Sequence, residues 1–93
     1  MQATGLKQVQ DGQYTQVIYS LIKDQKYTEA IQLLNVELQN NPQSRAAYSL
    51  LGYCYYHVQD FTNAASIYEK LSKLFTEVKE YKFYYAQSLY KDG

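Results

Sequence analysis

The sequence predicts an all-α fold, a solenoid of antiparallel helical hairpins, and two observations carry that expectation. First, small and aromatic residues recur at one constant offset, Ala30 to Ala64 being 64 − 30 = 34, with the same spacing from Tyr14 to Tyr48, Tyr27 to Phe61 and Gly52 to Ala86. A fixed period of this length marks a helix–turn–helix unit stacked on copies of itself. Second, apolar residues fall at helical spacing in five successive stretches, with no glycine-rich linker between them. Near the middle, Gly52 on one helix and Ala64 on the next have almost no side chain. The two backbones can therefore approach closely, with Leu51, Tyr55 and Tyr68 filling the space around the contact.

Each element follows from local chemistry. Residues 1–10 are polar and read as a flexible N-terminal segment. Asp11 or Gly12 then precedes a helix in which Tyr14, Val17, Ile18 and Leu21 share a face, closed by the polar break Lys23 to Lys26. The second helix buries Tyr27, Ala30, Ile31, Leu34 and Leu38 and ends at Asn40-Asn41-Pro42, because proline disfavours helix in the residue before it. The third runs from about Ser44 to Val58, with Tyr48, Leu51, Gly52 and Tyr55 as its stripe. Asp60 is a good N-cap for the fourth, whose stripe is Phe61, Ala64, Ala65, Tyr68, Leu71 and Phe75. Thr76 is expected to start the fifth, which carries Val78, Tyr81, Tyr85, Ala86 and Leu89.

At the repeat offset, unit one occupies 11–44, unit two 45–78, and the first helix of unit three 79–93. That makes five helices in two and a half repeats. A hairpin unit buries its apolar face only against neighbours, and the ends of an array need a polar cap. The fifth helix keeps Tyr84, Tyr85 and Leu89 with no second helix to cover them. The expectation is a truncated fragment of a longer solenoid.

Composition excludes several functions. Nine basic and nine acidic residues cancel, with no run of like charge, so the electrostatic footprint of a nucleic-acid binder is missing. No stretch has the length of a signal peptide's apolar core or of a membrane span, so no direct membrane insertion is expected. Cys54 is the single cysteine and cannot form an internal disulfide, which fits a reducing compartment such as the cytoplasm. Cys54 and His57 are three apart on one helix, but a nucleophilic pair needs an orienting third group and an oxyanion site. One cysteine and one histidine cannot complete a zinc site either. No catalytic residue, metal site or cofactor is expected.

Over residues 11–93 the chain resembles the tetratricopeptide-repeat superfamily, through Tyr48, Leu51, Gly52, Tyr55, Ala64 and Tyr68 in unit two and Tyr14, Ala30, Leu34 and Pro42 in unit one. The resemblance implies a right-handed superhelix. Glu37 departs from it by replacing a small apolar residue, and Thr76 by replacing a closing proline. A narrower likeness lies in Tyr27-Thr28-Glu29-Ala30-Ile31-Gln32-Leu33-Leu34, Ser44-Arg45-Ala46 and Ser49-Leu50-Leu51-Gly52-Tyr53-Cys54-Tyr55-Tyr56. These runs resemble the extreme N-terminus of the fleer-type intraflagellar transport family, a tetratricopeptide subunit of the ciliary B complex. That likeness implies a non-catalytic scaffold of the cytoplasm, cilium and ciliary base, wrapped around an extended segment of a fellow core subunit. Another cytosolic adaptor of the same repeat type, for complex assembly or a ubiquitin ligase, is the alternative.

The superfamily likeness also implies which side chains face the concave surface, namely positions 2, 5, 9, 12 and 13 of each unit. These are Thr15, Tyr19, Ile22 and Lys23 in unit one, and Ala46, Ser49, Tyr53, Tyr56 and His57 in unit two. Unit three supplies Phe83, Gln87, Tyr90 and Lys91. The partner-binding residues are taken to be Tyr19, Ile22, Ser49, Tyr53, Tyr56, His57, Phe83 and Tyr90; those packing repeats together are Ala30, Leu51, Gly52, Tyr55, Ala64, Tyr68 and Ala86. Co-chaperone repeats that clamp carboxylates need lysine, asparagine and arginine where this chain has Thr15, Tyr19, Leu50, Glu80 and Tyr84. A carboxylate clamp is thus not expected. An aromatic groove suits an extended, proline-rich segment, whose prolines stack on ring faces and lose little entropy on binding.

Overall fold

The computed structural model describes residues 14–93; the segment expected to be flexible, residues 1–10, lies outside them. Among the described residues are five helices and no strand: α1 (Thr15–Lys23), α2 (Tyr27–Asn40), α3 (Arg45–His57), α4 (Phe61–Leu74) and α5 (Lys79–Asp92). Each helix packs on the next, α1 on α2 through to α4 on α5, as connections of three or four residues require. The architecture is a helical solenoid of the tetratricopeptide type.

Repeated turns set this geometry. Inside the first hairpin, the Gln25 N–H donates to the Ile22 carbonyl at 2.9 Å and the Lys26 N–H to that of Leu21 at 2.7 Å. The second hairpin copies both bonds, Gln59 to Tyr56 at 3.1 Å and Asp60 to Tyr55 at 2.9 Å. Such paired bonds close a helix through one left-handed residue, usually glycine, yet Gln25 (φ 62°) and Gln59 (φ 68°) occupy that position here. Ser44 and Asp60 cap α3 and α4, accepting from the N–H of Ala47 at 3.1 Å and of Asn63 at 3.2 Å. The fifth helix starts at Lys79, not at Thr76 as the sequence suggests. Thr76 and Glu77 are used in the turn between units, where the Val78 N–H donates to Phe75 and Val78 itself is extended.

Two apolar clusters hold the hairpins together. Ile18, Ala30, Leu34, Ala47, Leu51 and Cys54 form the first; Ala64, Tyr68, Leu71 and Tyr81 form the second. Tyr55 and Ile67 pack against both, so the core runs continuously from one unit to the next. Gly52 is buried against α4, but its close neighbour is not Ala64. A Cβ at Gly52 would lie 3.0 Å from Cε2 and Cζ of Tyr68 and 3.2 Å from Cγ2 of Ile67, so the missing side chain makes room for a tyrosine ring.

Two expectations for the fifth helix need correction. Tyr84 and Tyr85 are half-buried against the second cluster, covered by the preceding hairpin, and only Leu89 of that trio is exposed. Ala86, expected in the packing seam, is exposed, because α5 turns Tyr81, Tyr84, Tyr85 and Ser88 inward and the side bearing Ala86 meets no described helix. Ser88 is fully buried and its hydroxyl has no hydrogen-bond partner among the described residues. Losing an unpaired buried hydroxyl removes a desolvation cost of about 1–3 kcal/mol. Ser88→Ala should therefore leave the urea midpoint unchanged or raise it; a lowered midpoint would mean the hydroxyl is bonded.

Candidate protein-binding groove

The first helices of successive units, α1, α3 and α5, border a groove of about 390 Å³. Tyr19 and Ile22 line it from α1, Ser49, Leu50 and Tyr53 from α3, and Glu80, Tyr81 and Tyr84 from α5, with Tyr68 of α4 behind them. The spacing of three and four residues that makes each helix amphipathic also puts these side chains on one edge of it.

Ring contacts fix the walls. Tyr68 stacks on Tyr84 with centroids 5.1 Å apart and planes 18° from parallel. Tyr56 meets the same Tyr84 ring edge-on at 5.1 Å. The Tyr81 hydroxyl is held from two sides, by the Arg45 Nε–H at 3.0 Å and by Ser49 Oγ at 2.6 Å. Arg45 in turn lies over the Phe75 ring, 4.2 Å from its centroid, on the far side of Tyr81. The polar atoms of Ser49 and Tyr81 are thus already engaged, and what the groove offers a ligand is chiefly aromatic face and edge.

Its electrostatics follow from burial. Desolvation, with the neighbouring Tyr84 phenol second, holds the Tyr68 hydroxyl well above its ordinary acidity range. The Tyr84 phenol moves the same way, first through burial and then through Tyr53. Both stay protonated at neutral pH, and Glu80 is the only charged residue in the lining.

Of the residues the sequence assigns to partner binding, the structure gathers Tyr19, Ile22, Ser49 and Tyr53 in this groove. The other four lie elsewhere. Tyr56 is half-buried behind Tyr84, with Phe61 at 5.5 Å and the Lys91 ammonium 5.9 Å above its ring. His57 is exposed and stacks on Tyr27, 5.3 Å away and 16° from parallel, with Tyr53 at 4.2 Å. Burial by these rings lowers the His57 pKa below 6.5, so the imidazole is neutral at physiological pH. Phe83 is 57% exposed and touches the edge of Tyr84, while Tyr90 is 84% exposed. Neither lines the groove. Leu50, Tyr68, Glu80, Tyr81 and Tyr84 line it instead. The carboxylate-clamp positions held a signal for three of these, since Leu50, Glu80 and Tyr84 stand there.

Cys54 and His57 do not form a site. Cys54 is wholly buried in the first cluster, whereas His57 is exposed against Tyr27 and Tyr53. Among the described residues no three His, Cys, Asp or Glu side chains could share a metal ion, and no helix is long and apolar enough to cross a membrane. Burial raises the Cys54 thiol from 9.0 to about 11. A thiol-specific chromogen at pH 8 should leave it unlabelled until urea unfolds the chain; prompt labelling of folded protein would contradict this burial. Because the folded thiol is the weaker acid, its contribution to stability is complete below pH 9 and is lost as pH rises from 9 to about 11.

No protein-family model matches the chain. Curated relatives do. Intraflagellar transport protein 70A of Xenopus tropicalis is 61% identical over 85 residues, 91% of this chain and 13% of that protein. The zebrafish (Danio rerio) protein of the same name is 58% identical over 82 residues, 88% of this chain and 13% of its own length. Its human namesake is 54% identical over 84 residues, 90% of the chain and 13% of that protein. The chain therefore spans about an eighth of these relatives, 13% in each case. Identity this high across nearly all of the described helices settles its kinship: the chain belongs to the intraflagellar transport protein 70 family.

Proposed function

We propose that the chain forms part of a non-catalytic scaffold of intraflagellar transport, in which its concave groove holds an extended, proline-rich segment of another core subunit. The observation that carries this reading is the tyrosine-lined groove to which α1, α3 and α5 all contribute side chains. Such a lining suits an extended segment that is apolar or aromatic enough to displace water from ring faces. The relatives carry intraflagellar transport in their names, which supports a role in the cilium; the cytoplasm and the ciliary base complete the proposal.

Affinity purification of the tagged full-length protein from ciliated cells, with a high-salt wash, tests the reading. Salt weakens surface charge contacts and spares an apolar groove. Other intraflagellar transport subunits should be retained by the wild type. Their retention should fall sharply with Tyr53→Ala and Tyr84→Ala combined, since buried aromatic anchors are worth about 2–4 kcal/mol each in protein interfaces. Recovery of ligase or assembly-factor subunits instead would favour a general adaptor.

A further inference from the structure

A hollow of about 260 Å³ opens where the turn before α3 meets the C-terminal end of α4, and it shares no lining residue with the aromatic groove. Tyr48 of α3, Leu71 and Leu74 of α4, and Phe75 just beyond give it apolar walls. Leu74 is 66% exposed, the most exposed leucine among the described residues. Two cations stand over the rings. The Arg45 guanidinium lies 4.2 Å from the Phe75 centroid and the Lys70 ammonium 5.5 Å from that of Tyr48, both within cation–π range. No aspartate or glutamate lines the hollow, and the one ion pair among the described residues lies outside it, Lys73 with Glu69 at 3.1 Å. Arg45 is held in place. Its Nε–H donates to the Tyr81 hydroxyl at 3.0 Å while its face rests on Phe75, which fixes the plane of the fork. A guanidinium fixed in advance loses less freedom on pairing, and its planar fork matches the two oxygens of a carboxylate.

We infer that this hollow docks a short acidic segment of a partner protein, whose carboxylates meet Arg45 and Lys70 and whose apolar side chain covers Leu74. Charge complementarity sets the sign of the occupant. The aromatic groove and a smaller recess beside Tyr19 are each lined by a glutamate and no cation, whereas this hollow has two cations and no acid. Leu74, Tyr48 and Phe75 supply a separate reason for a ligand, since an apolar side chain laid on them leaves water. The chain has no net charge and no basic run, so the pair of cations suits one short peptide segment and not a long polyanionic backbone. The surface is independent of the groove: Arg45 lines the one and Tyr81 the other.

Three labelled synthetic peptides with one central leucine, flanked by glutamate, glutamine or lysine, test the inference by fluorescence anisotropy on the full chain. At low salt the glutamate peptide should bind about 5-fold or more tightly than the glutamine one, with the lysine peptide weaker still and the margin narrowing in about 0.5 M salt. Lys70→Gln should cut the affinity for the glutamate peptide about threefold, and Leu74→Glu, which sets a like charge beside the two cations, should cut it further. Both side chains are exposed, so neither change threatens the fold. Lys73→Gln, outside the hollow on the same helix, and Tyr19→Ala, in the groove, should leave the affinity unchanged. Equal affinity for the three peptides, or no binding, overturns the inference. So does an equal loss from Lys73→Gln and Lys70→Gln, which would mean diffuse attraction to α4, or a loss from Tyr19→Ala alone, which would place the peptide in the groove.

Discussion

Tyr68→Ala is expected to lower stability by about 3–5 kcal/mol, the range for deleting a large buried aromatic side chain. Tyr68 is 3% exposed and belongs to the second core cluster. Its ring occupies the space left by Gly52 and stacks on Tyr84, tying the second hairpin to α5. Removing the ring leaves a cavity that Gly52 cannot fill. Domains of roughly this size have about 4–12 kcal/mol in hand, so the loss is a large share of the whole. Urea unfolding followed by circular dichroism should show the midpoint falling steeply, and the groove should lose affinity because Tyr84 has lost its backing. Tyr68→Phe keeps the ring and should stay close to wild type. A midpoint shift below about 1 kcal/mol for the alanine variant would mean the ring is not packed as described.

Gly52→Leu should be about as damaging for the opposite reason. A bare Cβ at Gly52 already meets Tyr68 at 3.0 Å, and a leucine adds three more carbons on the same line. Tyr68 cannot retreat, being stacked on Tyr84, so α3 and α4 must separate. Overpacking of a tight core costs about 1–3 kcal/mol and occasionally more; a four-carbon side chain in this space belongs at the upper end. Gly52→Ala is the informative control. Alanine favours helix over glycine by about 1 kcal/mol, which offsets part of the strain from its Cβ. A milder loss from alanine than from leucine is the expected order. Leucine tolerated without loss would show that the helices do not approach at Gly52.

The architecture was legible because a solenoid writes its contacts at one period. Small residues at Gly52, Ala30 and Ala64 and aromatics at Tyr48 and Tyr68 locate the hairpins without any knowledge of long-range pairing. Helix caps at Ser44 and Asp60 act within a few residues and are read as easily. The misses have physical causes of their own. Gln25 and Gln59 take left-handed backbone that glutamine gives no sign of, because the turn bonds around them outweigh the residue's own preference. Thr76 reads as the start of the fifth helix, but the turn between units holds it outside. Ala86 follows the repeat offset from Gly52, yet a small residue is buried only where a second helix lies over it.

The groove was partly legible. Tyr19, Ile22, Ser49 and Tyr53 fall at positions that the family resemblance implies, and the structure places them together. Tyr56, His57, Phe83 and Tyr90 do not join them, since a shift of one residue along a helix rotates a side chain by about 100°. On α5 the tyrosine one residue later, Tyr84, stacks on Tyr68 and so occupies the groove in place of Phe83. Twelve tyrosines in one short chain do not announce which of them face a ligand. Packing against Tyr68 and the hydrogen bonds at Tyr81 decide that, and both depend on contacts between helices far apart in sequence.

Photo-crosslinking in ciliated cells tests the central claim most directly. A benzophenone amino acid would replace Tyr84 in the groove and, in a parallel sample, the exposed Lys73 on α4. The account predicts a covalent adduct with one intraflagellar transport subunit from position 84, mapping to an extended segment, and none to that segment from position 73. Adducts to the same segment from position 73 alone would contradict it and move the binding surface away from the groove.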